Sequence, residues 1–518
     1  MKSKAMGAEP MAFLLQGHGN PHGFFDFKIE SGKEKEKMNI KLSDGTEIPV
    51  EMHKIKIVQK AHLVPARERL QAMEEAGYNT FLLRTRHVFL DMLTDSGTNA
   101  MSDNQLGAMM VSDDAYAGSE SFYRLVDAVK EVFGFDFLLP VHQGRAAENL
   151  LAKVFVKPGD VVPMNYHFTT TKAHFELAGG TVLEIFTDEA LNTCSTFPFK
   201  GNLDLEKFRQ VIASHGSDHI SFVRMEATTN LLGGQPFSME NLRQVKKMAA
   251  ENNILLVLDA SLISEQAYFI HQREAGYENT PILDIVREMA GLADIMYLSG
   301  RKSCAVRGGV IATNRKDLFE SIKPWLPVYE GFLTYGGMST KEVEAMAVGM
   351  REMTDLGVAG CSADMIRHFA HRLIDWGVPV VTPPGGLACH IDATRFLPNL
   401  PQSKYIAGSL AAAMYLASGA RGMERGTLST DRDRDGNEVF SDLELLRLAV
   451  PRRTYTISQI DYAVDRLTWL HRHADLIKGL TFVEEPPILR FFFGRLKAID
   501  NWGQDLVEAF RKDFGDEL

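Results

Sequence analysis

Three polar residues stand where apolar runs stop. Asn230 follows HISFVRMEAT (219–228), Asp259 closes the apolar part of ILLVLDA (254–260), and Lys302 lies just past ADIMYLS (293–299). A lysine amine can form a Schiff base with a carbonyl cofactor and shift a proton at an adjoining carbon. A carboxylate facing a pyridine nitrogen keeps that ring protonated, so that it withdraws electrons. Together the pair suits pyridoxal phosphate, although either residue is also ordinary at a strand end. A phosphate needs a further element. In HQGRAAENLLAKV (142–154), Gln143, Gly144 and Arg145 precede a helical run. Free N–H groups at a helix start, beside a guanidinium, make an anion site. A capped surface helix is the plainer reading of the same residues. Ser299 and Arg301 offer a hydroxyl and a second cation close to Lys302.

The elements that must position these residues follow from periodicity. SMENLRQVKKMAAENN (238–253) carries Leu242, Val245, Met248 and Ala249 at helical spacing, and TPILDIVREMAGL (280–292) is helical again. Between them the apolar runs are continuous rather than alternating. Strand, helix, strand, helix, strand predicts an α/β fold with a mostly parallel sheet covered on both faces. Ligands of such sheets bind beyond the carboxyl ends of the strands, where the candidate residues lie. After about residue 340 the pattern changes to longer helices and isolated strands, which predicts a second, smaller α+β domain.

Composition excludes several classes. A chain of 518 residues has room for two to four domains and a large core. With 45% hydrophobic and 24% charged residues it is neither disordered nor fibrous. A net charge of −11 argues against nucleic acid or an anionic membrane as the main partner. Cys194, Cys304, Cys361 and Cys389 show no C-x-x-C spacing, which fits a reducing compartment. No run is long enough for a transmembrane helix, and MAFLL near the start is too short for a secretory signal. A cytoplasmic protein is expected.

Further segments resemble those of the β-eliminating lyases, the family that comprises tyrosine phenol-lyases and tryptophanases. They include LTDSGTNAMSD (93–103), DDAYAGSESFY (113–123), HQGRAAEN (142–149), HFTTT (167–171), NLLGGQP (230–236), SGRK (299–302), MERG (423–426), LLRLAVPRRTYT (445–456) and LRFF (489–492). They occur in order over most of the chain. The resemblance implies the pyridoxal-phosphate fold type I of aspartate aminotransferase, and a homotetramer with active sites shared between subunits. It implies that Lys302 carries the cofactor and acts as base at Cα, and that Asp259 pairs with the pyridine nitrogen. Asn230 would lie near the cofactor's phenolic oxygen, Phe168 would stack on the ring, and Gln143, Gly144, Arg145 and Ser299 would hold phosphate. Arg447, Thr94 and Ser96 would hold the substrate carboxylate, and Tyr116 would protonate the leaving group. Tryptophanases have Asp, an aliphatic residue and His where this chain has Thr169, Arg425 and Phe491; at all three it is similar to tyrosine phenol-lyases. A guanidinium facing a phenol oxygen steadies the charge that develops there as the ring is protonated.

The implied activity is β-elimination of an aromatic amino acid, L-tyrosine to phenol, pyruvate and ammonia. Elimination from tryptophan or a cysteine derivative, and a catalytically drifted homologue, are the alternatives. The chain departs from the family at Leu262, where the family has an arginine that bonds the cofactor's phenolic oxygen. The resemblance also implies a potassium ion on the Gly97 carbonyl and Asp114, but Arg307 stands in the shortened segment that would lend a further carbonyl. A guanidinium there would replace the ion, and activity without potassium would support that.

The domain division expected is an N-terminal extension over 1–50, the start of the small domain over 51–95, a cofactor-binding domain over 96–340, the rest of the small domain over 341–496, and a tail over 497–518. Two motifs are set aside. DRDRDGNEVFSD (431–442) has calcium-loop spacing, but Arg432 and Arg434 interleave its carboxylates, so a solvated loop is expected. GHGNPHG (17–23) adjoins neither strand nor helix, and Pro21 breaks a helical pairing of His18 with His22.

Overall fold

This computed structural model describes residues 39–516; the glycine- and histidine-containing segment 17–23 and the charged stretch 28–37 lie outside them. Six strands run in one direction: β1 Phe137–Val141, β2 Val161–Met164, β3 Thr181–Glu184, β4 Val223–Glu226, β5 Leu256–Asp259 and β6 Ile295–Ser299. β7, Gly309–Thr313, runs against them between β1 and β6. The order across the sheet is β1-β7-β6-β5-β4-β2-β3. Every residue of β2, β4, β5, β6 and β7 is buried, because helices cover both faces. The expected α/β architecture is therefore present, and its strands sit where the apolar runs lie.

The helices form for local reasons the sequence carries. Helix Met239–Glu251 starts at Ser238, whose side chain accepts the Asn241 N–H, and it buries Leu242, Val245 and Ala249 at helical spacing. Helix Glu120–Phe133 ends at Gly134, whose φ of 78° is strained for any residue with a Cβ.

A second core lies beside the sheet. Three antiparallel strands build it, β8 Ala388–Asp392, β9 Met423–Arg425 and β10 Leu445–Ala449, with β10 in the middle. The fully buried helix Ile406–Ser418 fills its centre. Segment 66–92, from the front of the described chain, packs into this core, and so does the last helix, Trp502–Phe514, through Trp502, Leu506, Val507 and Phe510. Helix Leu356–Asp375 belongs to both bodies: Ala359 and Ala363 face the sheet's core, while Ile366 and Phe369 face the other.

The strand read over MERGTLS is shorter than its pattern, since residues 427–429 close a helical turn after Arg425. In the 431–442 loop the carboxylates turn to the chain's own backbone. Asp433 accepts N–H groups of Asp435 and Asn437, and Asp431 those of Leu489 and Arg490. Among the described residues no helix is long and apolar enough to cross a membrane, and all four cysteines are free.

Candidate active site

The segments after β2, β4, β5 and β6 meet residues carried by or flanking β8, β9 and β10, and most of the expected residues lie there. Lys302 sits in the turn after β6. That turn is closed by Gly300 N–H to Gly308 O at 2.8 Å and Ala305 N–H to Lys302 O at 3.0 Å. The Lys302 ammonium lies 5.1 Å from the centre of the Phe168 ring and has no hydrogen-bond or ion-pair partner among the described residues. Phe168 is placed by the start of helix Thr169–Leu177, just beyond β2. On the same ring, 5.8 Å from its centre, lies the Arg425 guanidinium.

Asp259 closes β5. Its Oδ1 accepts the Ser261 N–H at 3.0 Å, and its Oδ2 accepts Arg224 Nη2 at 2.6 Å and the Tyr297 hydroxyl at 3.0 Å. Asn230 follows β4 in a single helical turn. Its Oδ1 accepts Arg447 Nη1 at 2.8 Å, and its N–H donates to Glu226 at 3.2 Å. Arg447 projects from β10 and donates its second Nη to the Leu93 carbonyl at 2.8 Å. Arg425 ends β9 and donates to the Thr169 hydroxyl at 3.3 Å.

Both of these guanidiniums are buried, Arg447 to 2% exposure and Arg425 to 6%. Neither has a carboxylate within ion-pair distance among the described residues, and the Nε of each is buried without a partner. Burial pushes Arg447 down to about 9, with Arg425 adding to the effect, and pushes Arg425 down to about 10 against the pull of Glu424 and Glu226. Asp95 stands near Lys302 and Arg447; burial raises its carboxyl, and those two cations oppose the rise. A buried cation without a counter-ion is expensive, so the site favours anionic ligands.

The phosphate candidates form a second cationic group. A Cβ on Gly144 would lie 2.9 Å from the Ser299 Cβ, so only glycine lets the helix start approach the turn that carries Lys302. Arg145, Arg301 and Arg307 have no ion pair among the described residues, and Arg301 is pushed down by burial first, then by Arg307 and Arg145. Free N–H groups, a hydroxyl at Ser299 and converging guanidiniums are the donors a phosphate dianion needs. With a free Lys302 amine, the Phe168 ring and the Asp259 carboxylate, this donor set fits pyridoxal phosphate.

The loop carrying Thr94 and Ser96 joins the site from the front of the chain. Gly97 N–H donates to the Arg301 carbonyl at 2.9 Å, and the Asn99 side chain to the Lys302 carbonyl at 2.9 Å. Among the described residues, no hydrogen bond, ion pair or ring contact joins three expected residues to it. Tyr116 is 72% exposed and packs on Phe332 and Tyr335. Phe491 is 2% exposed, in an aromatic group with Phe81 and Phe492. Asp114 accepts the Thr340 hydroxyl at 2.9 Å, on an element that does not carry Gly97. Leu262 is 1% exposed and packs with Leu387, Ala388 and Ala449, so its position is an apolar one.

Sequence reasoning missed two buried groups. Arg224, Glu226 and Tyr297 surround Asp259, with Glu148 behind Tyr297 at 3.4 Å. The signal was available: two charges at alternate positions of an apolar strand share one face. The other is the ion pair of Arg452 with Glu265. Arg452 also donates to the Ser303 carbonyl at 2.8 Å, which anchors the residue after Lys302.

The Beta-eliminating lyase family model matches residues 91–466 of the chain. The tyrosine phenol-lyase of Symbiobacterium thermophilum is 44% identical over 451 residues, 87% of this chain and 98% of that protein. Those of Pasteurella multocida (44%, with the same coverage) and Clostridium tetani (43% over 459 residues, 88% and 100%) are similarly near. Among solved structures, Bna3p, a putative kynurenine aminotransferase from Saccharomyces cerevisiae, superposes with a TM-score of 0.57 at 16% identity, covering 81% of this chain and 100% of that one. The serine palmitoyltransferase of Sphingomonas wittichii does so with 0.51 at 13%, covering 75% and 88%. The fold is pyridoxal-phosphate fold type I.

Proposed function

Since the chain belongs to the β-eliminating lyase family, we propose that it is a pyridoxal-phosphate-dependent carbon–carbon lyase that converts L-tyrosine and water to phenol, pyruvate and ammonia. The observation that carries the substrate reading is Arg425: a buried guanidinium without a carboxylate partner, held by the Thr169 hydroxyl beside Phe168. It suits a phenol oxygen, and an indole carries no oxygen for it to hold.

When bound, pyridoxal phosphate supplies the electron-withdrawing ring that acidifies the substrate's Cα proton. Gln143, Gly144, Arg145 and Ser299 bind its phosphate, Asp259 holds its ring nitrogen, and Asn230 stands near its phenolic oxygen. Arg447, with Thr94 and Ser96, orients the substrate carboxylate. Lys302 Nζ takes the Cα proton. Arg425 and Thr169 hold the phenol oxygen and steady its charge while the ring carbon that leaves is protonated.

A separate acid must deliver that proton, because Lys302 faces Cα. Tyr116 is the candidate, and its exposed place with Phe332 and Tyr335 fits a residue that completes the site of a second subunit. The reading is thus a cytoplasmic homotetramer with shared sites, for which the four free cysteines and the exposed Tyr116 are the support. It keeps the division at residues 95 and 340, with the second core as the small domain. It takes Arg307, beside Arg301, in place of a potassium ion on Gly97 and Asp114.

One observation favours a second reading, elimination from a cysteine derivative: the apolar surroundings of Leu262 add no cation near the cofactor. A better leaving group needs less electron withdrawal. Purified holoenzyme assayed with tyrosine and with S-alkyl cysteines separates the two. Phenol release from tyrosine supports the main reading; pyruvate from the cysteine derivatives alone overturns it.

A further inference from the structure

Arg224 is fully buried, yet it does not lie in the substrate pocket: its whole fork is used on the underside of Asp259. Nη2 donates to Asp259 Oδ2 at 2.6 Å, Nη1 to Glu226 at 3.2 Å and to the Tyr166 carbonyl at 3.3 Å, and Nε to the Tyr297 hydroxyl at 2.9 Å. Strand register explains the convergence. Glu226 stands opposite Asp259 on β4, and Tyr297 opposite it on β6, so all three side chains share a face; Arg224 shares that face two residues earlier on β4. The Tyr297 hydroxyl donates to the same Asp259 oxygen, at 3.0 Å. With the Ser261 N–H, Asp259 accepts three hydrogen bonds from the chain itself.

We propose that Arg224 is a positioning residue for the cofactor's ring nitrogen, acting through Asp259: it fixes that carboxylate and weakens the grip of the Asp259–nitrogen pair on their shared proton. The inference rests on the functional reading above, which makes Asp259 the partner of that nitrogen. A cation in contact with a carboxylate stabilises its charged form and opposes any further positive charge nearby. The other groups facing Asp259 bound the effect. Glu226 on β4 and Glu148 on helix Gly144–Phe155 are carboxyls raised by burial, the Tyr297 phenol on β6 is raised well above its usual value, and the Lys302 charge acts on Glu226. Arg224 is thus the one cation hydrogen-bonded to Asp259 among the described residues. A more weakly protonated ring withdraws electrons less strongly, so Arg224 sets how far the cofactor can stabilise charge at Cα.

The test reads the ring nitrogen itself. Holoenzyme is reconstituted with pyridoxal phosphate labelled with ¹⁵N in the ring, and its ¹⁵N signal is followed against pH. In Arg224→Gln the midpoint is expected to rise by about 1–3 pH units. Arg224→Lys, which keeps the charge, should lie near the parent. Tyr297→Phe, which removes only a hydroxyl donor, should shift the midpoint in the same upward direction by less. It supplies the answer if Arg224→Gln does not fold. Equal midpoints in parent and Arg224→Gln, a nitrogen that titrates in neither, or an unmoved Tyr297→Phe when that variant stands alone, overturns the proposal. A parent protein that takes up no cofactor overturns the functional reading along with it; a parent that binds cofactor but leaves tyrosine intact leaves this test in force.

Discussion

Arg224 and Arg447 are both almost wholly removed from solvent, yet their surroundings are opposite. Arg224 is enclosed by Asp259, Glu226 and, through Tyr297, Glu148. Among the described residues Arg447 donates only to neutral acceptors, the Asn230 side chain and the Leu93 carbonyl, and its Nε has no partner. The first cation is satisfied by its own chain and serves to hold a carboxylate in place. The second is left short of a counter-charge, and Arg425 and the group around Arg301 share that condition. An arginine compensated within the fold reads as support; one left uncompensated marks where a ligand's negative charge belongs.

The largest expected effect comes from removing the compensated arginine. Arg224→Met leaves buried carboxylates without their cation and should cost about 3–5 kcal/mol of stability, read by denaturant unfolding of the apoprotein. A loss below about 1 kcal/mol would erase the contrast. Arg447→Met should do the reverse. Its apoprotein should unfold much nearer the parent midpoint, while kcat/KM for the amino acid falls by about 2–5 kcal/mol, since the substrate carboxylate loses its buried partner. Equal damage to both properties would mean that Arg447 is structural.

A smaller effect is set by pH. His390 lies opposite Arg447 in the β8–β10 register, and burial pushes its imidazole down to about 3, with Arg447 adding to the shift. Its folded value is below its ordinary 6.5, so the unfolded chain takes up the proton first. The stabilising contribution is therefore whole above pH 6.5 and drains as pH falls toward 3, by about 1.4 kcal/mol per pH unit. His390→Leu should flatten the stability curve by that slope, and a parallel curve would refute it. The smallest effect belongs to Thr169→Val. It removes one hydrogen bond to Arg425, and kcat/KM for tyrosine should drop by about 0.5–1.5 kcal/mol while S-alkyl cysteine turnover holds. A matching loss on both substrates would detach Arg425 from the phenol.

What the sequence reveals follows the range of each signal. β4, β5 and β6 are legible because continuous apolar runs flanked by amphipathic helices have few other solutions. Asn230, Asp259 and Lys302 are legible because strand ends in such sheets face the ligand. Arg224 and Glu226 show in the sequence as two charges on one face of β4, but their convergence on Asp259 and Tyr297 does not, because those partners lie far away in sequence. Arg452 and Glu265 stayed hidden for the same reason, since an ion pair between positions so remote has no local pattern. The exposure of Tyr116 is a matter of tertiary placement, and no spacing in DDAYAGSESFY encodes it.

The shared core of segment 66–92 and helix Trp502–Phe514 has a consequence for how the chain is made. Leu70 and Met73 leave the ribosome long before Trp502, Leu506 and Phe510, which share their core. At typical synthesis rates the interval is on the order of tens of seconds. Once Thr313 is made the seven-stranded sheet has all of its strands, while the apolar side chains of segment 66–92 still wait for their lid. Until then the nascent protein carries an uncovered apolar strip, and a chain cut short before Trp502 would keep it for good.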